Sequence, residues 1–198
     1  LLGIIEGIPS NLEIDENFIR EQLSRRQKGY GRGSRMKIES DFAQIYCGVR
    51  HGITIGAPIG LIIENKDFQN WEDAMSVHKN NYNHKITLPR PGHADLAGVL
   101  KYGFDDIRNV IERSSARETA MRVAIGAICR KFLTELNIDI CSRVVQIFNI
   151  VDKSQIDSDL SYEKINELAD QSSVRCLDKD SEKKMIDAIS IAKKNGDS

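Results

Sequence analysis

Three stretches carry residue types that could do chemistry. In "LPRPGHADL", Leu88 to Leu96, a single histidine stands among two prolines, a glycine, an arginine and an aspartate. Pro89 and Pro91 stiffen the chain on both sides of Arg90, and Gly92 frees the backbone just before His93. A ring that exchanges protons near neutral pH, held on a rigid non-repeating segment, suits acid–base work. Asp95 or a backbone carbonyl can fix its tautomer. Lone histidines are more often structural than catalytic, and His51, His78 and His84 take that plainer reading; Cys47 with His51 lacks the further ligands that zinc needs.

The second stretch, "LSRRQKGYGRGSRMKI" from Leu23 to Ile38, holds Arg25, Arg26, Lys28, Arg32, Arg35 and Lys37 and no acidic residue. Gly29, Gly31 and Gly33 let a ligand approach the backbone, and arginine's planar fork suits carboxylate or phosphate. A small polyanion fits this loop. A solvated surface loop is the bland alternative, and a single strand of nucleic acid is another. Against nucleic acid stand one aromatic, Tyr30, and no recognised RNA- or DNA-binding motif. "GYGRGS" is no dinucleotide fingerprint, because its third glycine is misplaced and it follows a helix. The third stretch, "RNVIERSSARETAMRV", sets Arg113, Ser114 and Ser115 immediately before the strongest helical pattern. Free N–H groups, hydroxyls and a guanidinium there can hold a phosphate together, while the plainer reading makes Ser115 a helix cap and Arg113 and Arg117 surface residues.

Elements must position these groups. "LLGIIEGIPS" reads as a strand stopped by Pro9. In "IDENFIREQLSRR", Asp15 caps a helix, Ile14 and Ile19 staple it, and Ile19, Leu23 and Arg26 share a face. "AQIYCGV" alternates as a strand, and "IGLIIEN" is apolar on both faces, which predicts a sheet covered by helices. Residues 66–92 show weak periodicity, and so long a connection is uncommon unless functional or disordered. Ser115 and Glu118 spell a capping box, followed by a stripe of Met121, Ala124, Ile125, Ile128 and Phe132. "ICSRVVQI" is a further strand candidate. Helices are expected over 161–169, with Ile165 and Leu168 inward, and over 181–194, with Met185, Ile189 and Ala192 inward. The sum is an α+β fold.

The totals exclude several classes. With 28 basic and 29 acidic side chains, the net charge of -1 makes any basic site local. Four scattered cysteines without a CxxC pair fit buried thiols in a reducing compartment, and no apolar run is long enough to span a membrane. The start "LLGIIEGI" lacks the marks of a secretory signal, and "KKNGDS" resembles a severed loop, so the chain reads as part of something longer.

Four segments, "RRQKGYGRGSRMKIE", "YCGVRHGITIGAPIGLIIEN", "PRPGHADLAGVLKYG" and "RSSARETAMRVAIGAI", together resemble the signature segments of the chorismate synthase family, in order and at family spacing. "YCG" stands where a serine often precedes the glycine. The resemblance implies a β-α-β sandwich with internal pseudo-symmetry, of which about half is here, residues 1–198 being the N-terminal portion of one domain. It implies elimination of phosphate from 5-enolpyruvylshikimate 3-phosphate to give chorismate, with reduced FMN, in a cytoplasmic homotetramer with no nucleic-acid or membrane partner. By resemblance His93 is catalytic, acting on the reduced flavin, Arg26, Arg32, Arg35 and Arg90 surround the substrate, and Arg113, Ser114 and Ser115 lie against the flavin; no metal is implied. The family's other histidine sits in a "GESHG"-like segment absent from these residues, so the chain alone is expected to be inactive. A noncatalytic phosphate- or nucleic-acid-binding module is the alternative.

Overall fold

A computed structural model describes residues 1–31, 41–157 and 159–197. Its centre is a three-stranded antiparallel sheet of β1 (Leu2–Ile5), β2 (Ala43–Cys47) and β5 (Ile59–Ile63), in the order β1-β5-β2. Alternation puts Gly3, Ile5, Ala43, Ile45, Ile59, Leu61 and Ile63 on one face, and the register pairs them directly: Gly3 with Leu61, Ile5 with Ile59, Ala43 with Ile63 and Ile45 with Leu61. Between β2 and β5 lies a ribbon of β3 (Val49–Arg50) and β4 (Ile53–Thr54).

Two helices cover that face. In α1 (Glu16–Gln27), Asp15 accepts the N–H of Phe18 at 2.8 Å as the expected cap, and Ile19 and Leu23 are fully buried. In α4 (Glu118–Glu135), Ala120, Met121, Ala124, Ala127 and Ile128 turn inward, while Ile125 and Phe132 of the expected stripe are partly buried. Gly3 lets α4 lie down on β1, since a β-carbon there would run into Met121. The opposite sheet face is bare: Leu2, Ile4 and Tyr46 are exposed. Among the described residues, helices therefore cover one face of the sheet and not both, although β5 is apolar throughout.

Residues 66–92 contain one short 3-10 turn, Phe68–Asn70, as their weak periodicity suggests. The chain then turns helical earlier than expected, in α2 (Asp95–Tyr102) and α3 (Arg108–Arg113). Gly98 lets these two touch, because a β-carbon would collide with Val110.

A second cluster lies towards the C-terminus. Of "ICSRVVQI", only Gln146–Ile147 forms a strand, β6, paired with β7 (Ile150–Val151). Val174, Cys176 and Met185 are buried beside them, with Ile186 and Ile189 partly so. Ser161 caps α5 (Tyr162–Gln171) and Asp178 caps α6 (Lys179–Asn195), each starting near its expected place. Ile165 is buried but Leu168 faces outward, as an amphipathic helix with a narrow inner face requires. Of the cysteines only Cys176 is buried, where loss of solvent raises its pKa; Cys47 is exposed, because the register of β2 shifts after Ile45 and sets it opposite Gly60, whose other partner is the exposed Ile4.

Candidate active site

Arg26 leaves the end of α1 toward the junction of α3 and α4. Its Nη2 donates to the Ala116 carbonyl at 2.7 Å and to Thr119 Oγ1 at 2.9 Å, and its Nη1 reaches Asp41 at 3.4 Å. Arg117 Nη1 pairs with the same Asp41 carboxylate, and its Nη2 donates to the Glu64 carbonyl at 3.0 Å. The Asp41 side chain is 1% exposed, so two guanidinium groups share one buried carboxylate. That corner gathers two guanidinium groups beside the Ser114–Ser115 turn, and such groups suit oxyanions.

The capping box does not form. Ser115 Oγ accepts the N–H of Arg117 at 3.1 Å, two residues on, and the Glu118 N–H goes to the Ser115 carbonyl at 3.0 Å. The Glu118 carboxylate turns down the helix to Arg122 at 2.9 Å, a one-turn charge pair that competes with reaching back to the cap. Ser114 Oγ donates to the Val110 carbonyl at 2.7 Å, and Arg113 lies over the Tyr102 ring at 4.9 Å. The three residues are contiguous, but Arg113 faces α2 while Ser115 is tied to Arg117. Arg32 and Arg35 lie outside the described residues.

Arg90 and His93 share a turn built on Asp95. Asp95 is fully buried and accepts Arg90 N, Nε and Nη2, each at 2.9 Å. These bonds hold the Asp95 carboxyl down at about 2 and raise the Arg90 guanidinium. The carboxylate thus fastens the arginine and does not serve the histidine's ring. Gly92 takes φ of +73°, and His93, exposed, caps the turn with its N–H 3.4 Å from the Arg90 carbonyl.

The preceding segment is tied to α3. Asp106 accepts the Ile86 N–H at 3.1 Å, the Ile107 N–H meets the Ile86 carbonyl at 2.9 Å, and Lys85 pairs with Asp105. The Arg108 guanidinium stands 5.6 Å from both the Trp71 and the Tyr82 ring centres.

The basic stretch divides. Neighbours on a helix point about 100° apart, so Arg25 turns away from Arg26 and donates to Asp170 at 2.5 Å. Arg175 pairs with the same carboxylate, and Arg130 and Arg25 both donate to Gln22, at 3.0 and 2.8 Å. These groups line a cavity of about 470 Å³ that also borders Gly126 and Arg122. Burial lowers the pKa of both Arg25 and Arg175.

Sequence reasoning named Arg26, Arg90 and His93 as site residues, did not name Asp41 and gave Arg117 only a surface role. Arg117 stands in the quoted "RSSARE" motif and was within reach; Asp41, 76 residues from it, carries no local signal.

Comparison with known proteins came to one answer. The sequence model of the family described as chorismate synthase matches residues 1–198. The chain is 52% identical over 199 residues to the chorismate synthase of Alkaliphilus metalliredigens (strain QYMF), covering 100% of this chain and 51% of that one. It is 48% identical over 205 residues to that of Geobacillus thermodenitrificans (strain NG80-2), covering 52% of the relative. A structure described as "Crystal Structure of Chorismate Synthase" superimposes with a TM-score of 0.71 at 36% identity, over 98% of this chain and 50% of that one. The chain spans about half the length of the curated relatives it matches.

Proposed function

Since the chain belongs to the chorismate synthase family, we propose that it is the N-terminal portion of a single chorismate synthase domain. The activity is then the 1,4-elimination of phosphate from 5-enolpyruvylshikimate 3-phosphate to give chorismate. The observation that carries this reading is the corner in which Arg26 and Arg117 share Asp41 beside the Ser114–Ser115 turn. Its guanidinium groups suit a substrate bearing a phosphate and carboxylates, with Arg26, Arg32, Arg35 and Arg90 as its binding groups.

The chemistry of the α3–α4 turn fits the polar edge of a flavin. Ser114 and Ser115 offer hydroxyl groups, and the exposed Arg113 guanidinium is backed by Tyr102. These three residues would hold reduced FMN, which supplies electron density to the carbon framework as phosphate leaves and is not consumed overall. His93, exposed on a fastened turn, holds or delivers a proton at its ring nitrogen toward that ligand. Arg90 orients the substrate's anionic group through the guanidinium edge that Asp95 leaves open.

In the same reading the working protein is a cytoplasmic homotetramer. The bare apolar sheet face of Leu2, Ile4 and Tyr46 supports a contact with further protein. The 198 residues alone do not turn over, because groups that act together fail together.

An anaerobic assay of the full-length protein with reduced FMN and 5-enolpyruvylshikimate 3-phosphate, following chorismate absorbance, tests the proposal. Turnover that falls at least a hundredfold in His93→Ala supports it. No chorismate from a folded, flavin-loaded protein sinks it, as does turnover by the isolated 198 residues at the full-length rate for the claim that they are inactive.

A further inference from the structure

We propose that Asp95 is the positioning residue of this site: it sets the direction of Arg90 and fastens the turn that carries His93. The proposal rests on the chorismate synthase reading for its ligand, and on geometry for the rest. Asp95 is the first residue of α2, where a carboxylate would ordinarily serve the free amides of its own helix. It turns back instead. One oxygen accepts both Arg90 N and Nε and the other accepts Nη2, each at 2.9 Å, which closes a ring across Pro91 to Ala94.

A guanidinium has two usable forks. Asp95 occupies the side fork of Nε and Nη2, so the end fork of Nη1 and Nη2 remains for a ligand in a direction fixed by the protein. The Arg90 side chain is 44% exposed while its partner is fully buried, so the open fork meets solvent and the anchor does not. An unanchored surface arginine has many rotamers that a ligand must freeze; here folding has already chosen one. The choice propagates, because α2 is seated on α3 through Gly98 against Val110, and His93 sits two residues before Asp95. One carboxylate thereby fixes an anion-binding group and an acid–base group relative to each other.

The test uses the full-length enzyme. Asp95→Ala is expected to raise KM for 5-enolpyruvylshikimate 3-phosphate at least tenfold. Because Asp95 acts through Arg90, the Asp95→Ala/Arg90→Ala double variant should be no worse in KM than Arg90→Ala alone. A role confined to general stability would instead make the two losses multiply. Amide hydrogen exchange of the peptide spanning 86–95 gives a readout independent of turnover: losing the acceptor of the Arg90 N–H should speed exchange there at least tenfold while α4 stays protected. Where the alanine variant does not fold, Asp95→Asn, of the same shape, carries the KM measurement, because it keeps one oxygen for the Arg90 N–H but no carboxylate for the guanidinium fork. Multiplying losses, an unchanged KM, or unchanged exchange overturns the proposal. A wild-type enzyme that makes no chorismate overturns the functional reading alone, and the exchange result then decides the positioning role.

Discussion

Replacing Asp41 should destabilise this protein more than replacing either arginine that it holds. The carboxylate is 1% exposed, and the Arg26 and Arg117 side chains around it are 13% and 19% exposed, so all three groups lie largely out of water. Removing one partner of a buried charge pair costs about 3–5 kcal/mol, because the remaining charge is left without its counter-ion. Asp41→Ala withdraws a shared acceptor from two guanidinium groups at once and falls within that range. Arg117→Gln leaves Asp41 with Arg26 and also removes the donor to the Glu64 carbonyl; a charged hydrogen bond of this kind contributes about 1.5–3 kcal/mol. Arg26→Gln gives up its contact with Asp41 at the long distance of 3.4 Å and its bonds to Ala116 and Thr119, and should cost about 1–2 kcal/mol. Urea unfolding followed by circular dichroism measures the order directly. Added inorganic phosphate should restore more stability to Asp41→Ala than to the wild type, since an anion can then enter where the carboxylate was. If Asp41→Ala proved no less stable than Arg26→Gln, or phosphate helped both proteins equally, the shared-carboxylate argument would be wrong.

Three further outcomes are expected. Asp15→Ala removes the α1 cap and should lower unfolding free energy by about 1 kcal/mol with the urea dependence unchanged. Gly98→Val forces a branched side chain into Val110, costs about 1–3 kcal/mol by overpacking, and should expose the α2–α3 contact to limited proteolysis before the rest of the chain. The Asp95 carboxyl is lowered in the folded state from 3.8 to about 2, first by the Arg90 side chain and then by its backbone N–H. Its stabilising effect is therefore present above 3.8 and lost as pH falls toward about 2, so acid titration of Asp95→Asn should show a shallower loss across that window than the wild type.

What the sequence disclosed followed the range of the forces involved. Asp15 with its amide three residues on, and the stripe of Met121, Ala124 and Ile128, are local or periodic, and both stand where reading predicted. The capping box at Ser115 was also a local pattern, yet Arg122 drew Glu118 away, because two short-range partners competed for one side chain. The Arg25–Arg26 pair shows the limit more sharply. Composition revealed a basic loop suited to an anion, but the helical turn between the two residues sends Arg25 to Asp170 and Arg26 to Asp41, 145 and 15 residues away in sequence. Chain order alone does not show which carboxylate will meet which arginine. Asp95 was one of two candidates to fix the His93 ring, and the structure gives it to Arg90, since pairing with a guanidinium satisfies both of its oxygens and a single imidazole N–H would satisfy one.

Among the described residues, the main core draws nothing from the chain between Ile63 and Ala120. Arg26 is thus rooted in the sheet and its helices, while Arg90 and His93 belong to the α2–α3 unit, held together by Gly98, Asp106 and Arg108. Any ligand that touches Arg26 and Arg90 together is bivalent with respect to these two bodies. Contact with one presents the ligand to the other at an effective concentration set by how firmly the α2–α3 unit is seated. Affinity for such a ligand therefore depends on residues that never meet it, and loosening Gly98 against Val110 would weaken binding with every arginine still in place.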